Sequence, residues 1–172
     1  PINVTAVDNA IIDKIVISLY NSTNDLVNSS TSAFIGSNSS SHYINFTGHA
    51  DGVYTFNATV NDTAGNSNST SSRSIRIDTT KPLVDFESAT TATGNFSRTW
   101  IFANITASDT NGSGLSTITV RLYNATALIN TTVSSSSPVT LNYTGLTDGR
   151  YFLNATANDT VNHVNNTTTR SI

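Results

Sequence analysis

Apolar and polar residues alternate with a period of two along much of this 172-residue chain, and helical spacing is absent. In the run Tyr54-Thr55-Phe56-Asn57-Ala58-Thr59-Val60-Asn61, Tyr54, Phe56, Ala58 and Val60 would face a core while Thr55, Asn57, Thr59 and Asn61 face solvent. Ile15, Ile17 and Leu19 show the same period, as do Ile118, Val120 and Leu122. Gly, Asp-Gly and Ser clusters interrupt these runs at short intervals. The pattern predicts short antiparallel strands stacked as a sandwich or barrel, an all-β fold.

The alternating blocks occur twice. DGVYTFNATVNDT (Asp51 to Thr63) returns as DGRYFLNATANDT (Asp148 to Thr160), and NVTAVD (Asn3 to Asp8) returns as NITASD (Asn104 to Asp109). ISLYNSTNDLVNSS (Ile17 to Ser30) matches VRLYNATALINTT (Val120 to Thr132), and INFTG (Ile44 to Gly48) matches LNYTG (Leu141 to Gly145). The joint falls at Asp78-Thr79-Thr80-Lys81-Pro82, because Pro82 lacks a backbone donor and holds the residue before it extended. Two units are therefore expected, 1–77 and 78–172. The second opens with a strand through Leu83, Val84 and Phe86 that has no counterpart in the first. Either the chain was cut from a longer array or a strand from another subunit fills the gap, and truncation is the preferred reading.

These segments resemble the tandem immunoglobulin-like repeats of bacterial and archaeal cell-surface proteins, in which Asp-Thr-Thr-x-Pro opens a repeat and Asp-x-x-Gly-Asn follows a late strand. Here those features are Asp78 to Pro82 and Asp62-Thr63-Ala64-Gly65-Asn66. Tyr54 and Tyr151, each placed just after an Asp-Gly pair, resemble the tyrosine corner of such folds, whose phenol bonds to backbone. The resemblance implies two tandem immunoglobulin-like antiparallel β-sandwich domains at a cell surface. In the second unit Thr160-Val161-Asn162-His163 departs from the Ala-Gly-Asn turn, which leaves the geometry of that turn open.

Composition narrows the function. Charged residues are only 11% of the chain, against about 25% in ordinary soluble domains, and the formal net charge is −3. Nothing in that balance steers nucleic acid or an anionic membrane. No cysteine is present, so disulfides and thiolate chemistry are excluded. No apolar run approaches the roughly 20 residues that span a bilayer. Pro1-Ile2-Asn3-Val4 is not a signal peptide, and the chain reads as a fragment or mature product.

Asn, Ser and Thr make up the missing polarity, and they are arranged as Asn-x-Ser/Thr, the acceptor for N-linked sugar. The first unit carries Asn3, Asn21, Asn28, Asn38, Asn45, Asn57, Asn61 and Asn68, and the second Asn95, Asn104, Asn111, Asn124, Asn130, Asn142, Asn154, Asn158, Asn165 and Asn166. From the Ser and Thr content, about seven of the 22 Asn would match by chance, so eighteen is an excess. Asn3/Asn104, Asn21/Asn124, Asn28/Asn130, Asn45/Asn142, Asn57/Asn154 and Asn61/Asn158 recur at matching places, and where alternation is clear the Asn falls on the polar side. The competing reading is a merely polar sheet surface inherited through duplication. Adjacent Asn165 and Asn166 are not expected to carry sugar together.

Other chemistry is sparse. Asp8, Asp62, Asp78 and Asp109 offer oxygens of the kind calcium takes, but Asp is also an ordinary turn former and no metal or other cofactor is assigned. His42, His49 and His163 lie in different contexts, Glu87 is the only Glu, and no nucleophile motif occurs, so no enzyme is expected. Trp100, Phe102 and Phe96 cluster before and within a strand. Core or inter-domain packing is the preferred reading of the three, but Phe102 shares parity with Asn104 and is the best candidate for an exposed interface anchor, with Trp100 beside it. The sequence thus points to a structural glycoprotein module of a surface layer, stalk or filament, whose partners are other copies or neighbouring repeats. An adhesin stalk, a ligand-binding module or a spacer of a secreted enzyme is the alternative.

Overall fold

The computed structural model describes residues 1–110 and 112–172, which form two compact units, Pro1–Ile77 and Asp78–Ile172. The first contains β1 (Ile2–Val7), β2 (Ile12–Tyr20), β3 (Leu26–Ala33), β4 (Ser39–Ile44), β5 (Gly52–Asp62), β6 (Ser67–Ser69) and β7 (Arg73–Ile77). The second contains β8 (Leu83–Phe86), β9 (Ile101–Ser108), β10 (Leu115–Asn124), β11 (Leu128–Ser134), β12 (Val139–Tyr143), β13 (Tyr151–Asp159), β14 (Val164–Asn166) and β15 (Arg170–Ser171). All pairings are antiparallel. Among the described residues no helix is long and apolar enough to cross a membrane.

Each unit is a sandwich of two sheets. In the second, β12-β9-β8 faces β11-β10-β13-β14, with β15 also on β13. In the first, β1-β4 faces β3-β2-β5-β6, with β7 on β5. The period of two becomes the core directly: Ile101, Ala103, Ile105 and Ala107 of β9 meet Ile118, Val120 and Leu122 of β10 and Leu153, Ala155 and Ala157 of β13. Ile15 and Ile17 of β2 and Ala58 of β5 do the same in the first unit. Both corner tyrosines close as expected, with Tyr54 Oη donating to the carbonyl of Ala50 at 3.0 Å and Tyr151 Oη to that of Thr147 at 2.8 Å.

The turn that the sequence left open has the same form in both units. The N–H of Asp62 donates to the carbonyl of Asn66 at 3.0 Å, and that of Asp159 to the carbonyl of His163 at 3.1 Å. Gly65 takes a positive φ of 90° in the first turn, and Asn162 substitutes for it at 72°. Asn tolerates this left-handed region better than most residues, because its short amide can bond locally.

The units differ where β8 stands. In the second, Val84 and Phe86 pair with Ala107 and Ile105 of β9, and Pro82 is fully buried. The first unit has no counterpart of β8 among its described residues, and β1 pairs on one side only, with β4. A cavity of about 240 Å³ lies there, lined by Val4, Ala6, Ala58, Val60 and Asn68. Ile105 and Ala157 have no exposed surface, whereas their counterparts Val4 and Val60 are only partly buried.

Candidate functional site

The acceptor asparagines are held by strands and hairpin turns. In β5 and β13, Asn57, Asn61, Asn154 and Asn158 stand opposite Ser18, Lys14, Arg121 and Thr117, on the outer face of the larger sheets. All four are half-buried. Asn3, Asn38, Asn45, Asn68, Asn95, Asn142 and Asn166 are exposed. Asn104 is half-buried on the outer face of β9. Asn111 lies outside the described residues.

Two acceptors in strands without clear alternation take the other face. Asn28 and Asn130 pair with buried Leu19 and Leu122, so they lie on the core-facing side of β3 and β11. They are nevertheless exposed, because both strands are sheet edges and the facing sheet is narrower.

Some amides already have work within the fold. Asn21 Oδ1 accepts from the N–H groups of Thr23 and Asp25 at 3.1 and 2.8 Å, and Asn124 Oδ1 from those of Thr126 and Ala127 at 2.9 and 2.7 Å. These Asx turns set the β2–β3 and β10–β11 hairpins. N-linked sugar replaces one hydrogen on Nδ2 and leaves Oδ1 free to accept, so capping and glycosylation are compatible. Asn165 is different: its Nδ2 donates to the carbonyl of Pro82 at 2.9 Å and tethers the segment entering β8. Of the adjacent pair, Asn166 is the exposed one.

The four turn aspartates act mainly on backbone. Asp8 accepts from the N–H of Ala10 at 2.8 Å, and Asp109 from that of Gly114 at 2.7 Å. Asp62 accepts from the side chain and the N–H of Asn66, each at 2.7 Å, which holds its carboxyl below the usual range. Asp159, fully buried and unremarked in the sequence, repeats this arrangement. Its Oδ1 accepts from the N–H groups of Val161 and His163 at 2.9 and 2.8 Å, and its Oδ2 lies 2.8 Å from His163 Nδ1. The match of Asp159 to Asp62 in the repeat was the signal that could have found it.

Asp78 stands 4.0 Å from the same imidazole nitrogen, so Asp78, Asp159 and His163 form one cluster that could hold a cation. Asp8, Asp62 and Asp109 are not part of it. Hydrogen bonding from Ser113, whose N–H donates at 2.6 Å, lowers the Asp78 carboxyl from 3.8 to about 2, with Thr80 adding to the effect. A depressed folded-state value means that this contribution is present above about pH 4 and is lost as the pH falls toward 2. Thermal melting of the second unit is therefore expected to drop over that window, and Asp78→Asn should flatten part of the drop. An unchanged pH profile in that variant would count against the assignment.

Trp100 and Phe102 sit together at the start of β9. Thr91 lies along the edge of β9 there, its N–H donating to the carbonyl of Phe102 at 2.8 Å and its Oγ1 accepting from the N–H of Phe102 at 3.0 Å. Phe102 is on the outer face, as its parity requires, and is half-buried rather than exposed. Trp100 keeps 42% of its surface exposed and borders two cavities. In one, of about 470 Å³, the Arg98 guanidinium lies 3.9 Å from the Trp100 ring and 4.3 Å from the Phe96 ring. The other, about 360 Å³, is lined by Ala89, Trp100, Phe102, Asn142 and Thr144.

Sheets of this order, two per unit, each unit closed by a tyrosine corner and the whole repeated in one chain, define two tandem immunoglobulin-like antiparallel β-sandwich domains. No protein-family model and no curated protein matches the chain. Solved structures with a similar backbone include the fibronectin(III)-like modules of Clostridium thermocellum CbhA, at 18% identity and a TM-score of 0.37, covering 99% of this chain and 82% of that one. A tetra-tandem repeat in the extending region of a large adhesion protein is 19% identical with a TM-score of 0.44, covering 99% and 44%. The FN1–FN3 domains of chicken CNTN1 are 12% identical with a TM-score of 0.36, covering 99% and 59%.

Proposed function

We propose that this chain is a non-enzymatic structural module of an extracellular surface layer, stalk or filament, with N-linked glycans coating its outward faces. The observation that carries the reading is the placement of the acceptors. Six pairs recur at matching positions in the two units, and none of the described acceptors is buried. Asn is a poor strand residue, so its repeated use in β5, β9 and β13 calls for a reason other than sheet propensity. A sugar layer supplies the solubility that an 11% charged surface lacks and shields the exposed edges of β3 and β11 from pairing with other chains.

Its partners in this reading are other copies or neighbouring repeats. A strand with the chemistry of β8, supplied by a longer chain or by another copy, would pair with β1 and fill the cavity beside Val4, Ala6 and Val60.

Intact and site-resolved mass spectrometry of protein from its native source tests the coat. A mass many kilodaltons above the 18.2 kDa polypeptide is expected, with sugar on Asn57, Asn154 and Asn142, and on Asn166 in preference to Asn165. A bare polypeptide mass removes the coat and leaves a polar β-sandwich pair.

A further inference from the structure

The outer face of the β12-β9-β8 sheet contains an apolar feature that solubility does not explain. Phe102 and Asn142 are register partners on neighbouring strands, so their side chains leave the same face of the sheet within about 5 Å at Cβ. Trp100 and Ala89 complete the groove around them. The acceptor Asn142 and Thr144 of its own acceptor motif form part of the wall. At about 360 Å³ the groove is within the roughly 300–1,000 Å³ of small-ligand sites. A ligand attached to Asn142 begins inside it.

The first unit repeats the juxtaposition with the strands exchanged. There the acceptor Asn3 is on β1, and its register partner on β4 is Tyr43, which is 62% exposed. In the second unit the aromatic is on β9, the counterpart of β1, and the acceptor is on β12, the counterpart of β4. Copying one ancestral unit does not produce this exchange, because Tyr43 matches Thr140 and Phe102 matches Pro1. An acceptor opposite an outward aromatic is therefore the recurring element, independent of which strand supplies which residue.

We infer that Phe102, flanked by Trp100, is a docking platform for the first sugar of the glycan on Asn142. A pyranose presents a face of C–H groups, which is apolar and slightly positive, and an aromatic ring presents a negative face. Stacking the two covers the exposed ring surface and orders the glycan against the sheet. The inference rests on the glycan-coat reading and goes beyond it by assigning a bound orientation to one sugar.

The test uses the full chain made in an N-glycosylating host and trimmed to a single N-acetylglucosamine at each occupied site. Nuclear magnetic resonance of that sugar is expected to show upfield-shifted protons at Asn142, relative to the sugar on Asn68. The shift should survive Phe102→Tyr and vanish in Phe102→Thr at equal occupancy. Threonine is a good strand residue, and Thr106 already occupies the same face of β9, so this variant is expected to fold. Asn142→Gln should lower the Tm of the second unit by about 4 °C when Phe102 is present and leave it unchanged in the Phe102→Thr background. An occupied Asn142 with an unshifted sugar and no such difference overturns the platform and leaves the coat intact. A bare Asn142 on an otherwise glycosylated chain also overturns the platform alone, and a wholly unmodified chain overturns both.

Discussion

Replacing Asp159 with Ala is expected to destabilise the second unit by about 3 kcal/mol. The carboxylate is 1% exposed and is the acceptor for two backbone N–H groups, from Val161 and His163, as well as facing His163 Nδ1. Alanine leaves those donors without a partner in a partly buried turn, and an unmet buried donor costs about 1–3 kcal/mol. Against a total stability of about 5–15 kcal/mol for a domain, the loss is large. Asp159→Asn keeps an oxygen for both N–H groups and should recover about half of it. Asp62→Ala should cost less than Asp159→Ala, because Asp62 is 8% exposed and its partner Asn66 lies open to water. Thermal or denaturant unfolding of each variant decides the matter. Equal stability of Asp159→Ala and the parent would show that water replaces the carboxylate at no cost.

Supplying the first unit with a strand like β8 is expected to stabilise it by about 2 kcal/mol or more. Within the second unit, β8 brings Pro82, Val84 and Phe86 onto the core, and burying an apolar side chain of this size contributes about 1.5–3 kcal/mol. Ordering the added residues costs about 1–2 kcal/mol each, so the net gain is a fraction of the gross. The acceptor surface is already shaped. Val4 and Ala6 match Ile105 and Ala107, the two partners of Phe86 and Val84, and Asn68 matches Asn165, whose amide holds the Pro82 carbonyl.

The experiment fuses a copy of residues 78–88 ahead of Pro1 through a flexible linker and follows unfolding of the first unit. A rise of roughly 10 °C in its transition is the expected size for a unit of this length. Changing the Phe86 equivalent of the added copy to Asp should abolish the rise, because the charge would be driven into the cavity beside Val4. A fused chain that melts like the parent shows that β1 does not accept a strand at this edge.

The strands were legible because a sheet with one wet face imposes a period of two, and each half of this chain obeys it. Ile15, Ile17, Ile118 and Val120 have no exposed surface, as alternation requires. The duplication was equally visible, and with it the corner tyrosines and the acceptor asparagines. Local chemistry also set the hairpins, since Asn21 and Asn124 cap turns formed by residues two to four positions away.

Parity alone could not show that Asn28 and Asn130 lie on the core-facing side of their strands. That depends on β3 and β11 reaching beyond a narrower facing sheet. The turn at Asn162 was likewise open, because a non-glycine residue reaches positive φ only where its surroundings hold it there. The cluster brings Asp78 from a distant part of the sequence to Asp159 and His163, and the pairing of Phe102 with Asn142 is a register between β9 and β12. Alternation along a strand determines which face a side chain takes. Its neighbour across the sheet is determined by strand pairing, which is a long-range choice made by the packing of the whole sandwich.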